Sequence, residues 1–217
     1  MGIFECSGRP CPVVFGRVIS GDETALLRAW QAGDEAAGEE LFERYFDPLY
    51  GFFRHKASPD EVADLVQQVL VATVEGAARF RGDGTVQAFI FGIAQRTLFR
   101  HYRSKSRAPK LDFGVSSLFD LAPTPSSLFV RGEDAALLEA ALVRVPLELQ
   151  VVIELRFDVG LTGPELADAL DVPEGTARSR LRRAIAAVRA KVEEVAREAP
   201  GRAVDFDRLD EWDRAAS

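Results

Sequence analysis

The sequence predicts an all-α protein made of two small helical domains joined by a flexible linker, with a helix-turn-helix in the second domain. The 217-residue chain is 47% apolar, which is enough for two small cores and too much for a disordered chain. Apolar residues recur at three- and four-residue steps, and no run alternates as a half-buried strand would. A segment containing several prolines and serines near the middle separates two blocks with this helical period.

The first domain is predicted over residues 22–108, and it opens with two helices. Asp22 caps the first helix, which ends at Gly33, and Asp34 caps the second. The second helix carries a broad apolar stripe that we expect in the core, and Pro48 should bend or interrupt this helix. The stripe comprises Leu41, Phe42, Tyr45, Phe46, Leu49, Tyr50 and Phe53.

A third helix is predicted to begin at Ser58-Pro59-Asp60-Glu61, which has the form of a capping box with proline at the first helical position. A basic loop containing glycine follows over residues 79–84, and a further helix is predicted over residues 86–102. On the third helix, the residues expected to face inward are Val62, Leu65, Val66, Val69 and Leu70, and those expected to face outward are Asp64, Gln67 and Gln68.

The charges of the chain are strongly segregated. The formal net charge is −7, yet no acidic residue lies between Asp83 and Asp112 or between Glu174 and Glu193. Two acid-free basic windows in an acidic chain focus positive potential at two places, while the remaining surface repels DNA. The cations of the two windows are Arg96, Arg100, Arg103, Lys105, Arg107 and Lys110, and Arg178, Arg180, Arg182, Arg183, Arg189 and Lys191.

The second domain, predicted over residues 132–197, contains the most informative motif. Thr162-Gly163-Pro164-Glu165 has the form of a capping box and opens a short helix, which Asp171-Val172-Pro173 ends. The next helix has one apolar stripe and one cationic face, so the pair reads as a helix-turn-helix whose second helix enters the major groove. An ordinary helical hairpin with a solvated arginine face is the alternative. The stripe is Ala177, Leu181, Ile185, Val188 and Val192, and the exposed face holds Arg178, Ser179, Arg182 and Arg183.

Several function classes are disfavoured by composition. Cys6 and Cys11 are the only cysteines and fit no zinc or redox spacing, and the two histidines are too few to complete a metal site, so we expect no cofactor or metal. The cysteine usage favours a reduced, cytoplasmic setting. We find no signal peptide and no membrane-spanning stretch, and therefore expect no membrane insertion. The sequence contains no cluster of acidic and histidine residues and no phosphate-binding loop that would indicate an enzyme.

Several short motifs recur along the chain in a characteristic order: Asp64-Leu65-Val66-Gln67, Phe80-Arg81-Gly82, Phe91-Gly92-Ile93-Ala94, Arg103, Pro173-Glu174-Gly175-Thr176 and Ser179-Arg180-Leu181. Their order and separation resemble those of bacterial RNA polymerase sigma factors of the extracytoplasmic-function (ECF) group of the sigma-70 family, over about residues 22–197. The resemblance implies a subunit whose first domain binds core RNA polymerase and opens the minus-ten element of promoter DNA, while the second reads the minus-thirty-five element. It also adds an anti-sigma factor as a candidate partner.

The resemblance and the side-chain chemistry together give three candidate sets. The melted minus-ten strand needs cations along its phosphates and an aromatic ring on which an unpaired base can stack. The candidates for these contacts are Arg81, Arg96, Arg100, Tyr102 and Arg103. The residues matching the polymerase-facing helix are Asp64, Leu65, Gln67 and Gln68. Those matching the recognition helix for the minus-thirty-five element are Arg178, Ser179, Arg182 and Arg183.

The chain departs from the family pattern at Arg96 and Arg100, where asparagine and aspartate often occur in the family. Two arginines raise the affinity for phosphate, so we do not extend the family's usual minus-ten base preference to this chain. A stand-alone helix-turn-helix transcriptional regulator, binding duplex operators without polymerase, is the alternative function. The absence of a heptad repeat for dimerisation and the basic end of the first domain favour the sigma factor.

Three segments lie outside the predicted domains. Residues 1–21 are rich in Gly, Pro and Cys and are predicted to form a mobile leader. Residues 109–131 are predicted to form the linker, whose apolar side chains suggest that it docks on a partner or between the domains. Residues 198–217 form an acidic tail with Leu209 and Trp212 at helical spacing. The tail is either a solubilising segment or an amphipathic helix that covers a basic surface.

Overall fold

The computed structural model describes residues 23–80, 82, 84–105 and 140–198. Every regular element within these ranges is a helix, and the helices form two blocks, which confirms the predicted all-α fold class with two small domains. The predicted leader, the predicted linker and all but the first residue of the predicted acidic tail lie outside these ranges.

The first domain contains four α-helices, which pack around one core. The third helix is followed by a single 3-10 turn, Ala77–Arg79. The largest fully buried side chains of this core include Tyr45, Phe53 and Phe91, which come from the second and fourth helices. The helices are α1 (Glu23–Gln31), α2 (Glu35–Phe53), α3 (Pro59–Gly76) and α4 (Val86–Lys105).

Local chemistry sets the helix starts as the sequence predicts. The Asp34 carboxylate accepts hydrogen bonds from the backbone N–H groups of Ala36 and Ala37, at 3.0 and 3.2 Å, and so caps α2. At the start of α3, Ser58 and Glu61 form the complete capping box. These caps satisfy backbone donors that the first helical turn leaves without partners.

The apolar stripe of α2 is wider than the core that covers it. Phe42 is 46% exposed and Tyr50 is 39% exposed, so the prediction that the whole stripe is buried was wrong for these two residues. Together with Phe46 they form a row of aromatic rings, with centroids 5.2 and 6.0 Å apart, along the outer side of the helix. Pro48 lies inside a continuous α2, so of the two predicted alternatives, a bend or an interruption, the interruption does not occur.

The second domain contains α5 (Leu147–Phe157), α6 (Gly163–Leu170) and α7 (Glu174–Glu198). Thr162 and Glu165 form the predicted capping box at the start of α6. Asp171 ends α6 in the left-handed conformation, with φ of 52°, which an aspartate tolerates better than most residues. The tight turn after Asp171 leads directly into α7, and the predicted stripe of α7 is buried throughout.

The two domains are in contact, because α4 packs against α6. On one side of α4, Ile90 and Ala94 belong to the core of the first domain. On the other side, the side-chain amide of Gln95 donates a hydrogen bond of 2.7 Å to the carbonyl of Ala169 in α6. Helix α4 is therefore buried on two sides, and eleven of its residues are buried.

We predict that replacing Glu61 with glutamine lowers stability at neutral pH. Hydrogen bonds from Lys105 and Ser58 lower the pKa of Glu61 to about 2, from an ordinary value of 4.5. The ionised carboxylate therefore stabilises the fold above pH 4.5, and this contribution is lost as the pH falls toward 2. Glu61→Gln should cost about 1 kcal/mol at pH 7, measured by denaturant unfolding, and less below pH 4.5.

The neighbouring exposed carboxylate Asp60 provides the matched control, since Asp60→Asn removes the same charge without breaking the capping box. This variant should lose only a few tenths of a kcal/mol. An equal loss for Glu61→Gln at pH 7 and at pH 3 would contradict the assigned role of the carboxylate.

Candidate nucleic-acid and polymerase interface

The exposed face of α7 is formed by polar and cationic side chains from its first turns. Arg178, Ser179, Arg182 and Arg183 are all exposed, as the sequence predicts for a recognition helix. Steps of four residues place Arg178 above Arg182, and Ser179 above Arg183. The opposite side of the same turns is anchored in the core by Leu181, which is 3% exposed.

The side chains of these four exposed residues of α7 differ in their contacts with the rest of the protein. Arg178 forms an ion pair of 3.0 Å with Glu174, and the Ser179 hydroxyl donates to the carbonyl of Gly175 at 2.8 Å. Within residues 140–198, no carboxylate pairs with Arg182 or Arg183. These two guanidinium groups are therefore the ones best able to reach a ligand without breaking an existing ion pair.

A cleft of about 300 Å³ lies between α3 and α4 in the first domain. Arg96 and Arg100 stand one turn apart on one wall, and Phe89 and Ile93 supply apolar surface. Glu75 lies on the α3 side of the cleft. The cleft thus combines an apolar floor with two cations, which is the chemistry that a flat base with a phosphate on either side requires.

Arg96 is exposed, but its guanidinium is partly desolvated. Burial lowers the pKa of its guanidinium, a shift that Asp171 of the second domain opposes and Arg100 reinforces. The group stays protonated because an arginine side chain does not lose its proton in proteins. A partly desolvated guanidinium attracts a phosphate more strongly than one in bulk water, because the local dielectric constant is lower.

The structure corrects one residue of the predicted minus-ten set. Tyr102 is only 6% exposed, and its hydroxyl donates a hydrogen bond to the backbone carbonyl of Lys56. Burial raises the pKa of Tyr102 to about 12. Its ring packs into the first domain because position 102 follows Ala94 and Leu98 on the core side of α4, and it cannot stack on a base.

The other members of that set stand as follows. Arg96, Arg100 and Arg103 are exposed on α4, as predicted. The side chain of Arg103 folds back, with its Nε donating to the carbonyl of Phe99 at 3.2 Å. Arg81 lies outside the described residues.

Leu65 carried two expectations: its spacing predicted that it faces inward, and the family resemblance listed it with the polymerase-facing residues. Asp64, Gln67 and Gln68 are exposed as predicted, and Leu65 is only 2% exposed, which confirms its inward position and corrects its place on the polymerase face. Leu65 shares the inward stripe of α3, so it supports the face without forming it. The sequence analysis missed Val71, which is 51% exposed and lies one turn after Gln67. Its position four residues beyond an exposed glutamine is the signal that was available.

The sequence analysis also missed the residues that join the domains. Lys56 pairs with Glu154 of α5 at 2.5 Å, and the Gln87 side chain donates to the carbonyl of Val159 at 3.0 Å. The one hint of this domain contact in the sequence was Gln95, a polar residue within an apolar stretch. Its side-chain amide is buried in the structure. Neither Lys56 nor Glu154 belongs to a motif that announces a long-range contact.

None of the helices in the described ranges is both long and apolar enough to cross a bilayer. The His, Cys, Asp and Glu side chains of those ranges form no group of three or more that could hold a metal ion.

The structure thus has two helical domains, one with a cationic cleft and the other with an arginine-faced helix-turn-helix, an arrangement typical of nucleic-acid-binding proteins. Comparison with protein-family models identifies the family. The family model for sigma-70 region 2 matches residues 41–108, and the model for sigma-70 region 4 matches residues 141–190. The chain belongs to the sigma-70 family, and its relatives indicate the extracytoplasmic-function group.

Those relatives align along most of the chain. The ECF RNA polymerase sigma-E factor of Haemophilus influenzae is 24% identical over 180 residues, covering 79% of this chain and 95% of the relative. The RNA polymerase sigma-H factor of Pseudomonas aeruginosa is 27% identical, with 80% and 95% covered. The ECF RNA polymerase sigma-E factor of Escherichia coli K12 is 26% identical, with 81% and 96% covered.

A solved structure shares the fold. The structure of CnrH in complex with the cytosolic domain of CnrY matches with a TM-score of 0.56 and 22% sequence identity. The match covers 82% of this chain and 99% of the other.

We predict that Leu65 and Gln68, neighbours on α3, respond differently to alanine substitution. Leu65→Ala should destabilise the first domain by about 2–5 kcal/mol, because it leaves a cavity in a packed core. Gln68→Ala should change stability by no more than about 0.5 kcal/mol, because its side chain is exposed. Denaturant unfolding of both variants measures the difference. Equal stabilities would contradict the placement of Leu65 in the core.

Proposed function

We propose that this protein is a sigma factor that binds core RNA polymerase and directs promoter recognition and transcription initiation. The observation that carries the proposal is the presence of one exposed cationic surface on each of two domains, in the order of sigma-70 regions 2 and 4. Each surface has the chemistry that its region needs. In this role the chain binds and positions DNA while the polymerase carries out RNA synthesis, so the chain is not an enzyme.

The second domain is proposed to read the minus-thirty-five element as duplex DNA. In a helix-turn-helix, the first turns of the second helix face the base edges in the major groove. A guanidinium fork can bond both acceptors of a guanine, or it can hold a phosphate. Arg182 and Arg183, which carry no ion pair among residues 140–198, are the strongest candidates for these contacts. Arg178 and Ser179 complete the surface.

The first domain is proposed to hold the melted minus-ten strand. A cleft of about 300 Å³ is large enough for an unpaired base, and Phe89 supports it with apolar surface. Arg96, Arg100 and Arg103 are exposed along the same helix, where they can follow the phosphates of one strand. This surface suits single-stranded DNA because it offers a pocket for a base that has left the stack.

The outer face of α3 is proposed to contact core polymerase. Asp64, Gln67 and Gln68 provide polar groups around the exposed side chain of Val71. An apolar centre with a polar rim is typical of protein interfaces and offers nothing to bind a phosphate. A sigma factor works where its polymerase is, so the proposed location is the cytoplasm.

An anti-sigma factor is also a proposed partner. The solved relative is a complex of CnrH with the cytosolic domain of another protein, CnrY. That arrangement supports a regulatory protein partner for this chain.

We predict that two arginine variants lose promoter-directed transcription for different reasons. Arg182→Ala should reduce discrimination in favour of the cognate minus-thirty-five element by about 10- to 100-fold, because one bidentate base contact is lost. Arg96→Ala should reduce open-complex formation, with binding of the second domain to the duplex unchanged. In vitro transcription with core polymerase on a promoter pool, with permanganate probing of the melted region, measures both effects.

Arg197→Ala is the matched control. Arg197 is exposed on the same helix as Arg182, and its Nε donates to the carbonyl of Glu193 at 3.1 Å, far from the recognition turns. This variant should transcribe like the wild type. Specific binding of the unaltered chain to a duplex operator, without any effect on core polymerase, would instead indicate a stand-alone transcriptional regulator.

A further inference from the structure

A row of aromatic side chains on α2 lies open to solvent. Phe42, Phe46 and Tyr50, which we call the aromatic row, follow one another at four-residue steps, with ring centroids 5.2 and 6.0 Å apart. Phe42 is 46% exposed and Tyr50 is 39% exposed, so the described part of the chain leaves much of the row uncovered. An exposed apolar patch on a small domain is typical of a binding surface.

Acidic side chains border the aromatic row. Steps of three and four residues place Glu43 and Asp47 on the same side of α2 as the rings, and both are exposed. Neither carboxylate forms an ion pair within the described ranges. The surface therefore suits a ligand that combines apolar side chains with a guanidinium, because a guanidinium attracts both carboxylates and ring faces.

The chain ahead of α1 has this combination. Residues 13–19 read Val-Val-Phe-Gly-Arg-Val-Ile, with five large apolar side chains and one arginine. No acidic residue lies between Glu5 and Asp22. These residues belong to the predicted leader, outside the described ranges, and their chemistry complements that of the aromatic row.

The start of α1 brings this segment to the aromatic row. The Glu23 carboxylate accepts a hydrogen bond of 2.9 Å from the hydroxyl of Tyr45, so α1 begins beside the middle of α2. The residue after Tyr45 is Phe46, the central member of the row. Ile19 precedes Glu23 by four residues, a reach of up to about 14 Å, and the row is about 12 Å long. A segment tethered this closely binds at an effective concentration on the order of millimolar, so weak contacts are sufficient.

We propose that residues 13–19 bind to the aromatic row of the same chain, with their apolar side chains on the rings and Arg17 beside Glu43 and Asp47. The contact uses neither of the proposed DNA surfaces nor the proposed polymerase face of α3, so it stands apart from the proposed function.

Two other occupants of the row fit its charge less well. Residues 205–213 carry five carboxylates and one arginine, and they would meet carboxylates at the border of the row. A second copy of the chain, bound through the same surface, would place this acidic border against itself. Residues 13–19 avoid both repulsions.

Hydroxyl-radical footprinting of the full chain tests the proposal, with the oxidation of each side chain measured by mass spectrometry. Phe15→Ser with Val18→Ser removes two apolar side chains from the segment. Oxidation of Phe42 and Tyr50 should then rise about 3-fold or more, because rings that are covered in most molecules become uncovered. Val71, which is 51% exposed on α3, is the internal reference and should not change.

Cys6→Ser with Cys11→Ser is the matched control, because it also changes two side chains ahead of α1 but leaves residues 13–19 intact. In this control the two rings should be oxidised as in the wild type. Equal oxidation of the rings in the wild type and in the double serine variant of the segment would overturn the proposal. Protection of the rings that falls on dilution of the protein would also overturn it, and would assign the row to a second copy of the chain.

The reactivity of Cys11 gives a second test, from the other side of the contact. Cys11 lies just before the segment, so binding of the segment should slow its reaction with a bulky thiol reagent. The chain carries Cys6→Ser, so that Cys11 is its only thiol. Phe42→Ser with Tyr50→Ser should raise the alkylation rate about 3-fold or more, and the fold is retained because both rings are exposed. Val71→Ser removes an exposed apolar side chain from α3 and should leave the rate unchanged. Equal rates in the two variants would contradict the assigned contact.

Discussion

The structure depends on the burial of α4 from two sides. One side of this helix completes the core of the first domain through Ile90 and Ala94, and the other packs on α6 at Gly92. A third surface between them carries Arg96 and Arg100 into the cleft. Because one helix serves the core, the cleft and the domain contact, its position sets the geometry of all three. The need for α4 to pack closely on α6 accounts for the glycine and the buried amide at that contact.

The distribution of charge explains how an acidic chain can bind DNA. The net charge of the chain is −7, and two groups of cations with no acidic residue between them lie on α4 and on the first half of α7. Asp171 of the second domain acts electrostatically on Arg96 of the first. An acidic group therefore lies beside one of the arginines proposed to contact promoter DNA.

Local chemistry made much of the fold predictable, and long-range packing limited the rest. Asp34 and the two capping boxes act within four residues, so their sequence patterns gave the helix starts directly. Tyr102 was assigned to a surface, and Leu65 was listed with a binding face despite its inward spacing, because family motifs indicate position along the chain, whereas exposure depends on what packs against that position. The Lys56–Glu154 pair joins residues almost a hundred positions apart, and no local pattern encodes such a contact.

The distance between the domains in solution is the most direct test of this account. Donor and acceptor dyes can be attached through Glu39→Cys on α2 and Ala190→Cys on α7, two exposed positions, in the chain without its native cysteines. The account predicts one short distance in the free protein, because α4 packs on α6, and a longer or broader distance distribution in Gly92→Leu, whose side chain meets Ala169. The same distance distribution in both proteins would contradict it.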